Sequence, residues 1–295
     1  WRSRLFTPPF RMPTAALPAP HKLIGVCPPA RAAVIAELLR AHPAPVWMIV
    51  APDPKAAEAL AEDIAFFHAA AGGEPGNLDA LVFPESVPEQ RDLREAFAAS
   101  SDRLTVLSRL RGARHASGAA RMLVVVATPA ALLQPVPALD AFATRELVLE
   151  RGQRQPFQGL LEQLRLLDYD AEAVCEAPGH YAIRGGIIDV YPVTAGHPYR
   201  LDFFGDQLED IRAFDPVTQR SGESLPSLSL TASPRVRLDS SATGLADYVS
   251  PHAQVVLIEP AQLEEEFDLF GRAPAAPAGA EGDGEPPRTE APLPP

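Results

Sequence analysis

The sequence predicts an α/β protein whose parallel-sheet domain is interrupted by a smaller α+β module. Three observations carry this. Val46-Trp-Met-Ile-Val50 and Leu123-Val-Val-Val126 are unbroken apolar runs, the pattern of strands buried on both faces. Segments with apolar residues at helical spacing lie between such runs, as in a parallel sheet with crossover helices. Past Pro178-Gly179 the period changes to short alternating strands.

In chain order, residues 1–20 are proline-rich and without periodicity, which predicts a disordered leader, with order beginning near His21. A helix is expected over 29–42, with Val34, Ile35, Leu38 and Leu39 as its apolar stripe, and then the strand 46–50. Pro54 suits the first turn of a second helix bearing Ala57, Leu60, Ala61, Ile64 and Phe67. A short strand at 81–83, a polar helix over 88–111 and the strand 123–126 follow, and Pro129 opens a short helix.

From Glu146 the reading changes. A strand at 147–149 precedes a helix over 156–167, with Phe157, Leu160, Leu161, Leu164 and Leu167 on one face. Strands are expected at 181–184, 187–191 and 199–204, with a return strand at 207–214 and a two-residue turn at Gly205-Asp206. Val255-Val-Leu-Ile258 reads as a further buried strand and 262–270 as its following helix. The domains expected are therefore 21–145 and 223–271 as two parts of one α/β unit, 146–222 as an inserted module, and 272–295 as a disordered tail.

Composition narrows the function. There are 26 Lys and Arg against 38 Asp and Glu, a formal charge of −12, so broad attraction to nucleic acid is disfavoured. The basic stretch of Arg103, Arg109, Arg111, Arg114 and Arg121 has no interleaved aromatic residues and reads as a solvated helix rather than a base-stacking surface. Cys27 and Cys175, far apart, read as small buried hydrophobes in a reducing compartment. No run approaches the roughly 20 apolar residues of a membrane span. The histidines lack ligand-like spacing, and no metal, cofactor or catalytic residue is expected.

Three motifs in order are the informative part: Tyr181-Ala-Ile-Arg-Gly-Gly-Ile-Ile-Asp-Val-Tyr-Pro192, His197-Pro-Tyr-Arg-Leu-Asp-Phe-Phe-Gly-Asp206 and Phe214-Asp-Pro-Val-Thr-Gln-Arg220. Strand alternation places Tyr199, Leu201 and Phe203 on one face, the core side, and Arg200, Asp202 and Phe204 on the other. An arginine beside an outward aromatic is the composition of an interface hot spot. Taken together, the motifs resemble the module shared by UvrB and the transcription-repair coupling factors (Mfd), and the ending Asp-Pro-Val-Thr-Gln-Arg-Ser is closer to the latter.

That resemblance implies a helicase-like, P-loop NTPase-type α/β domain, a module that docks onto UvrA, and a cytoplasmic location. It implies UvrA-binding roles for Arg184, Arg200 and Phe204. For Arg184 the local alternative is an ion pair with Asp189 or Asp202. RNA polymerase and duplex DNA would be partners only through domains that this chain lacks.

A phosphate loop requires G-x-x-x-x-G-K-[ST]. The corresponding place reads Ile24-Gly-Val-Cys-Pro-Pro-Ala-Arg-Ala-Ala33, with neither Lys nor hydroxyl, and Pro28 and Pro29 remove two amide donors. Ile258 stands where a metal-binding Asp is expected, with Glu259 next. The expectation is a degenerate ATP site and a protein-binding fragment without catalysis. The alternatives are a divergent UvrB-like subunit that binds ATP and DNA, and a scaffold whose partner is another part of a longer protein.

Overall fold

The computed structural model describes residues 22–74, 76–86, 93–115, 121–234 and 242–272. The expected leader (1–20) and residues 273–295 of the expected tail lie outside the described residues.

The chain enters through a 3₁₀ turn, Pro28–Ala30, and continues as α1 (Arg31–Ala41), β1 (Val46–Val50) and α2 (Pro54–Ala70). Asp53 caps α2 by accepting from the Ala56 amide at 2.9 Å, and Pro54 costs nothing in the first turn, where no intrahelical donor is needed. Next come β2 (Leu78–Phe83), the long helix α3 (Leu93–His115) and β3 (Met122–Ala127). Thr128 then caps α4 (Pro129–Leu133), followed by β4 (Val136–Pro137) and α5 (Leu139–Ala143).

The module starts at β5 (Glu146–Glu150) and contains α6 (Phe157–Leu166), β6 (Asp170–Ala171), β7 (His180–Arg184) and β8 (Ile187–Val190). It continues with β9 (Tyr199–Phe204), β10 (Gln207–Phe214), β11 (Ser221–Ser224) and β12 (Ser227–Thr231). The chain then returns through β13 (Ala242–Thr243), a 3₁₀ turn at Leu245–Tyr248, β14 (Gln254–Leu257) and α7 (Pro260–Arg272). Among the described residues no helix is long and apolar enough to cross a membrane.

The first sheet is parallel, in the order β14-β1-β3-β2. Trp47, Ile49, Val124 and Val126 face α1 and α2. Their neighbours Val46, Met48, Leu123 and Val125 face α3, α4 and α5. Both faces of β1 and β3 are therefore covered, which is why their sequence shows no alternation. β14 differs from the expectation of a strand buried on both faces. It lies at the edge of the sheet and bonds to β1 alone. Val256 and Ile258 join the core, while Val255 and Leu257 turn to solvent.

The second sheet has six strands in the order β11-β10-β9-β8-β7-β6. Its inner face is a continuous apolar surface of Tyr181, Ile188, Val190, Leu201, Leu208 and Ile211 against Leu160, Leu161 and Leu164 of α6. β12, which the sequence assigns to the return segment, pairs antiparallel with β5, and its Leu228 and Leu230 belong to this same core. Helix α3 serves both units. Its Val106, Leu107 and Leu110 pack on the parallel sheet, and Phe97 and Leu104 touch the module core.

Leu201 is fully buried at the centre of the second sheet, and Phe204 is 76% exposed. Leu201→Ala is expected to destabilise the protein by about 2–5 kcal/mol. Phe204→Ala should stay within about 0.5 kcal/mol of the parent. Urea unfolding of the two variants checks this, and the reverse order would invert the assignment of the faces.

Candidate functional site: the outer face of the six-stranded sheet

The outer face is assembled row by row from strand register. One row runs Asp210–Asp202–Ile187–Arg184 across β10, β9, β8 and β7, and another runs Arg212–Arg200–Asp189–Ala182. Paired residues share a face, so alternate rows put these side chains opposite the apolar core. The tip of the β7–β8 hairpin is Gly185-Gly186, with Gly185 at φ +62°, a conformation glycine adopts without a Cβ penalty. A Cβ on Gly186 would stand 3.0 Å from the Phe203 carbonyl, so this turn lies close against the end of β9.

Asp189 is a carboxylate only 2% exposed, and Arg200 answers it from directly across the strand pair. Two parallel bonds join them, Nε to Oδ1 at 2.7 Å and a terminal nitrogen to Oδ2 at 2.8 Å. The guanidinium also lies 4.7 Å from the centroid of the Phe214 ring. The hydrogen bonds that Arg200 donates to Asp189 push its pKa above its ordinary value. Arg212 bonds Asp202 and lies 3.3 Å from Asp210, so this face is a lattice of opposite charges.

The motif at 214–220 has a physical role in this lattice. Asp215 accepts the Val217 and Thr218 amides, each at 2.8 Å, and closes a tight turn. Those amides, Thr218 first and then Val217, hold the Asp215 carboxyl below its ordinary range. The anchor therefore persists above that depressed value and is lost as pH falls through it. The turn brings Gln219, at φ +58°, over the sheet, where its Oε1 accepts from Arg200 at 3.2 Å. A small apolar cluster of Cys175, Ala182 and Phe214 with Tyr191 lies beside the pair. Burial pushes the Cys175 thiol up to about 12, and its sulfur donates to the His180 carbonyl at 3.3 Å. Cys27, expected to be buried as well, is exposed, because the stretch before α1 lies on the surface.

The structure thus separates the three residues singled out by sequence. Phe204 projects from the end of β9 with 76% of its surface exposed, and Arg184 is exposed at the end of β7, two strands away. That is about 10 Å at the usual strand spacing. Arg200 lies on the same face but is locked into the Asp189 pair, with 15% of its side chain accessible. The local ion pair considered for Arg184 is made instead by Arg200 to Asp189 and by Arg212 to Asp202. Val217, 89% exposed on the Asp215 turn, adds an apolar group that the sequence reading did not single out. Its position after an Asp-Pro turn was the available signal.

Residues 147–234 match the family described as the UvrB interaction domain. The chain carries a UvrB interaction domain. The match spans β5 to β12, so it covers the six-stranded sheet, α6 and the β5–β12 pair. Beyond this domain, the chain is 33% identical over 232 residues to the transcription-repair-coupling factor of Myxococcus xanthus, covering 75% of this chain and 18% of that protein. It is 28% identical over 214 residues to the Escherichia coli protein of the same name, covering 72% and 17%. With the Bacillus subtilis protein the identity is 33% over 107 residues, covering 36% and 9%. The chain spans less than a fifth of the length of these relatives.

The basic stretch from Arg103 to Arg121 is dispersed by the fold. Arg111 pairs with Glu146 of β5, which also accepts from Ser108 at 3.0 Å and Ser229 at 2.6 Å. Arg109 and Arg121 lie 3.9 and 3.2 Å from Asp79, and Arg114 donates to the Asp247 carbonyl. Arg103 is buried.

Removing Arg200 would leave Asp189 charged and buried without its partner. Arg200→Ala is expected to cost roughly 3 kcal/mol of folding stability. Arg184→Ala should cost less than about 0.5 kcal/mol. Chemical denaturation of the whole chain distinguishes them, and equal stability of the two variants would remove the structural role of the Asp189–Arg200 pair.

Proposed function

We propose that this chain is the UvrA-recruiting part of a transcription-repair coupling factor, acting in nucleotide excision repair in the cytoplasm by protein–protein binding. The observation that carries this is the exposed pair of Phe204 and Arg184 on the outer face of a UvrB interaction domain. An aromatic ring and a guanidinium on a preorganised sheet are the groups that dominate binding energy at protein interfaces. Arg200 completes the proposed surface, its planar fork held in place by Asp189 and its accessible edge turned to the same face. The rigidity of the charge lattice favours this reading, because little ordering is needed on binding.

In this reading the parallel-sheet domain is helicase-like and its nucleotide site is degenerate. The place of the phosphate loop is occupied by the 3₁₀ turn Pro28–Ala30, and Arg31 pairs with Glu259, which follows Ile258. The two segments that would hold phosphate and metal in an active site thus face each other across a protein ion pair. Ile258, with 8% exposure, belongs to the apolar core. RNA polymerase and duplex DNA are partners of the longer protein in this proposal, through domains outside this chain.

Two measurements test the proposal. In a titration against purified UvrA, Phe204→Ala and Arg184→Ala are each expected to weaken binding by about 2 kcal/mol, the scale of a hot-spot residue. That is roughly a thirtyfold loss of affinity. Normal binding by both variants would place the UvrA contact elsewhere. In a calorimetric titration of the chain with magnesium-ATP, no saturable heat is expected. Micromolar saturation would favour the alternative, a UvrB-like subunit that uses ATP and DNA.

A further inference from the structure

A cleft of about 680 Å³ opens beside α3, between the start of the parallel sheet and the β5–β12 ribbon. Asp79 and Leu123, near the starts of β2 and β3, line one side, so the cleft lies at the opposite end of the strands from Arg31 and Glu259. Register explains its floor. Val148 and Ser229 are partners across the ribbon and share a face with Glu146 and Ser227. The opposite face gives Leu149, Leu228 and Leu230 to the core. Glu146 ties the floor to α3 through Ser108 and Arg111. Past that contact the floor is open, with Val148 52% exposed and Ser227 exposed as well.

The charges of the cleft do not balance. Arg109 and Arg121 share one carboxylate, Asp79, at 3.9 and 3.2 Å, and 55% and 52% of their side chains stay accessible. Arg121 is anchored further by the Gly76 carbonyl. Arg109 stands beyond hydrogen-bond length from Asp79, so its fork of donors remains able to bond. Burial raises the Tyr199 pKa, and the nearby positive charge of Arg109 offsets part of that rise. The guanidinium of Arg109 therefore lies within reach of Asp79 on one wall and Tyr199 on the other, across the cleft that both line. Arg111 and Glu146 form a closed pair, which leaves two arginines facing one carboxylate. In a chain of net charge −12 this is a local patch of positive potential.

Guanidinium forks match carboxylates and phosphates through paired hydrogen bonds. Nucleic acid gains affinity from many neutralised phosphates, and this cleft offers two accessible cations within an acidic chain. A single ion would leave most of the volume and the apolar floor at Val148 unused. A short peptide bearing a carboxylate beside an aliphatic side chain uses both, and the volume falls within the roughly 300–1,000 Å³ of ligand pockets. We infer that this cleft docks an acidic peptide segment of a partner protein, with a carboxylate held by Arg109 and Arg121 and an aliphatic side chain laid on Val148. The inference does not depend on UvrA binding. Tyr199 belongs to the core side of β9, whereas Phe204 and Arg184 lie on the outer face.

The test is a heteronuclear NMR titration of the whole chain at neutral pH with an end-blocked peptide, Glu-Glu-Leu-Glu-Glu, beside Lys-Lys-Leu-Lys-Lys. The acidic peptide is expected to give saturable shifts centred on Arg109, Arg121 and Val148, and the basic one none that saturate. Arg109→Gln should weaken binding about tenfold, the scale of one charge-assisted hydrogen bond. It should keep the parent melting temperature, because an accessible pair at 3.9 Å contributes little to folding. Arg109→Lys, which keeps the charge, should lose less. Arg184→Ala should bind the peptide as the parent does, since it lies on the other face. No saturation, equal binding of the basic peptide, or unchanged affinity in Arg109→Gln would overturn the site. Equally tight saturation by sodium glutamate, or tighter binding of a thymidine pentanucleotide at the same residues, would overturn the assignment to a peptide.

Discussion

Leu201 is buried completely because β9 is the central ladder of a sheet whose inner face must exclude water against α6. That single requirement fixes the orientation of every other residue in the strand. With Leu201 and Phe203 turned inward, Arg200, Asp202 and Phe204 have to face the opposite way. Register then carries the constraint sideways. Leu201 lies opposite Ile188 and Ile211, so their neighbours Asp189, Ile187 and Arg212 join the outer face. The charge lattice and the projecting ring are thus consequences of the apolar row beneath them. A slip of one residue in β9 would bury Arg200 and expose Leu201.

The outer face is not uniformly solvated, and this gives it its shape. Cys175, Ala182 and Phe214 cover part of it, which leaves Asp189 out of reach of water. A carboxylate in that position needs a fixed cation, and Arg200 supplies one with two bonds. Gln219 reaches the same guanidinium because the Asp215 turn forces it into a left-handed conformation. Phe204 and Arg184 stand at strand ends beyond this lattice, on backbone positioned by two tight turns. Rigid support with exposed tips is the arrangement by which a sheet presents a binding surface without ordering it at the moment of contact.

The two units are joined through α3 and Glu146. The helix gives Val106, Leu107 and Leu110 to one core and Phe97 and Leu104 to the other. Glu146, the first residue of β5 and the one just before the UvrB interaction domain, is bonded from α3 by Ser108 and Arg111 and from β12 by Ser229. A movement of one unit on the other would uncover apolar surface and unpair a buried carboxylate together. The junction is thereby stiffened by the same residues that read, in sequence, as a basic stretch.

Periodicity alone determined the elements whose environment is uniform along the strand or helix. The unbroken runs 46–50 and 123–126 are buried on both faces, and the stripe of Leu160, Leu161 and Leu164 faces a core. It also settled which side of β9 is apolar, because alternation is local. Tertiary structure decided what depends on neighbours distant in the chain. Val255-Val-Leu-Ile258 has the composition of a buried strand, yet it lies at a sheet edge with two of its side chains in water. Cys27 and Cys175 look alike in sequence and differ in burial. Arg184 and Arg200 both read as outward cations, but only Arg200 has a buried carboxylate across the strand pair, since that pairing is set by the register of β8 on β9. A sequence states which groups a residue carries; the fold determines which charge it meets, and for a side chain near the boundary of a core that meeting decides between structure and function.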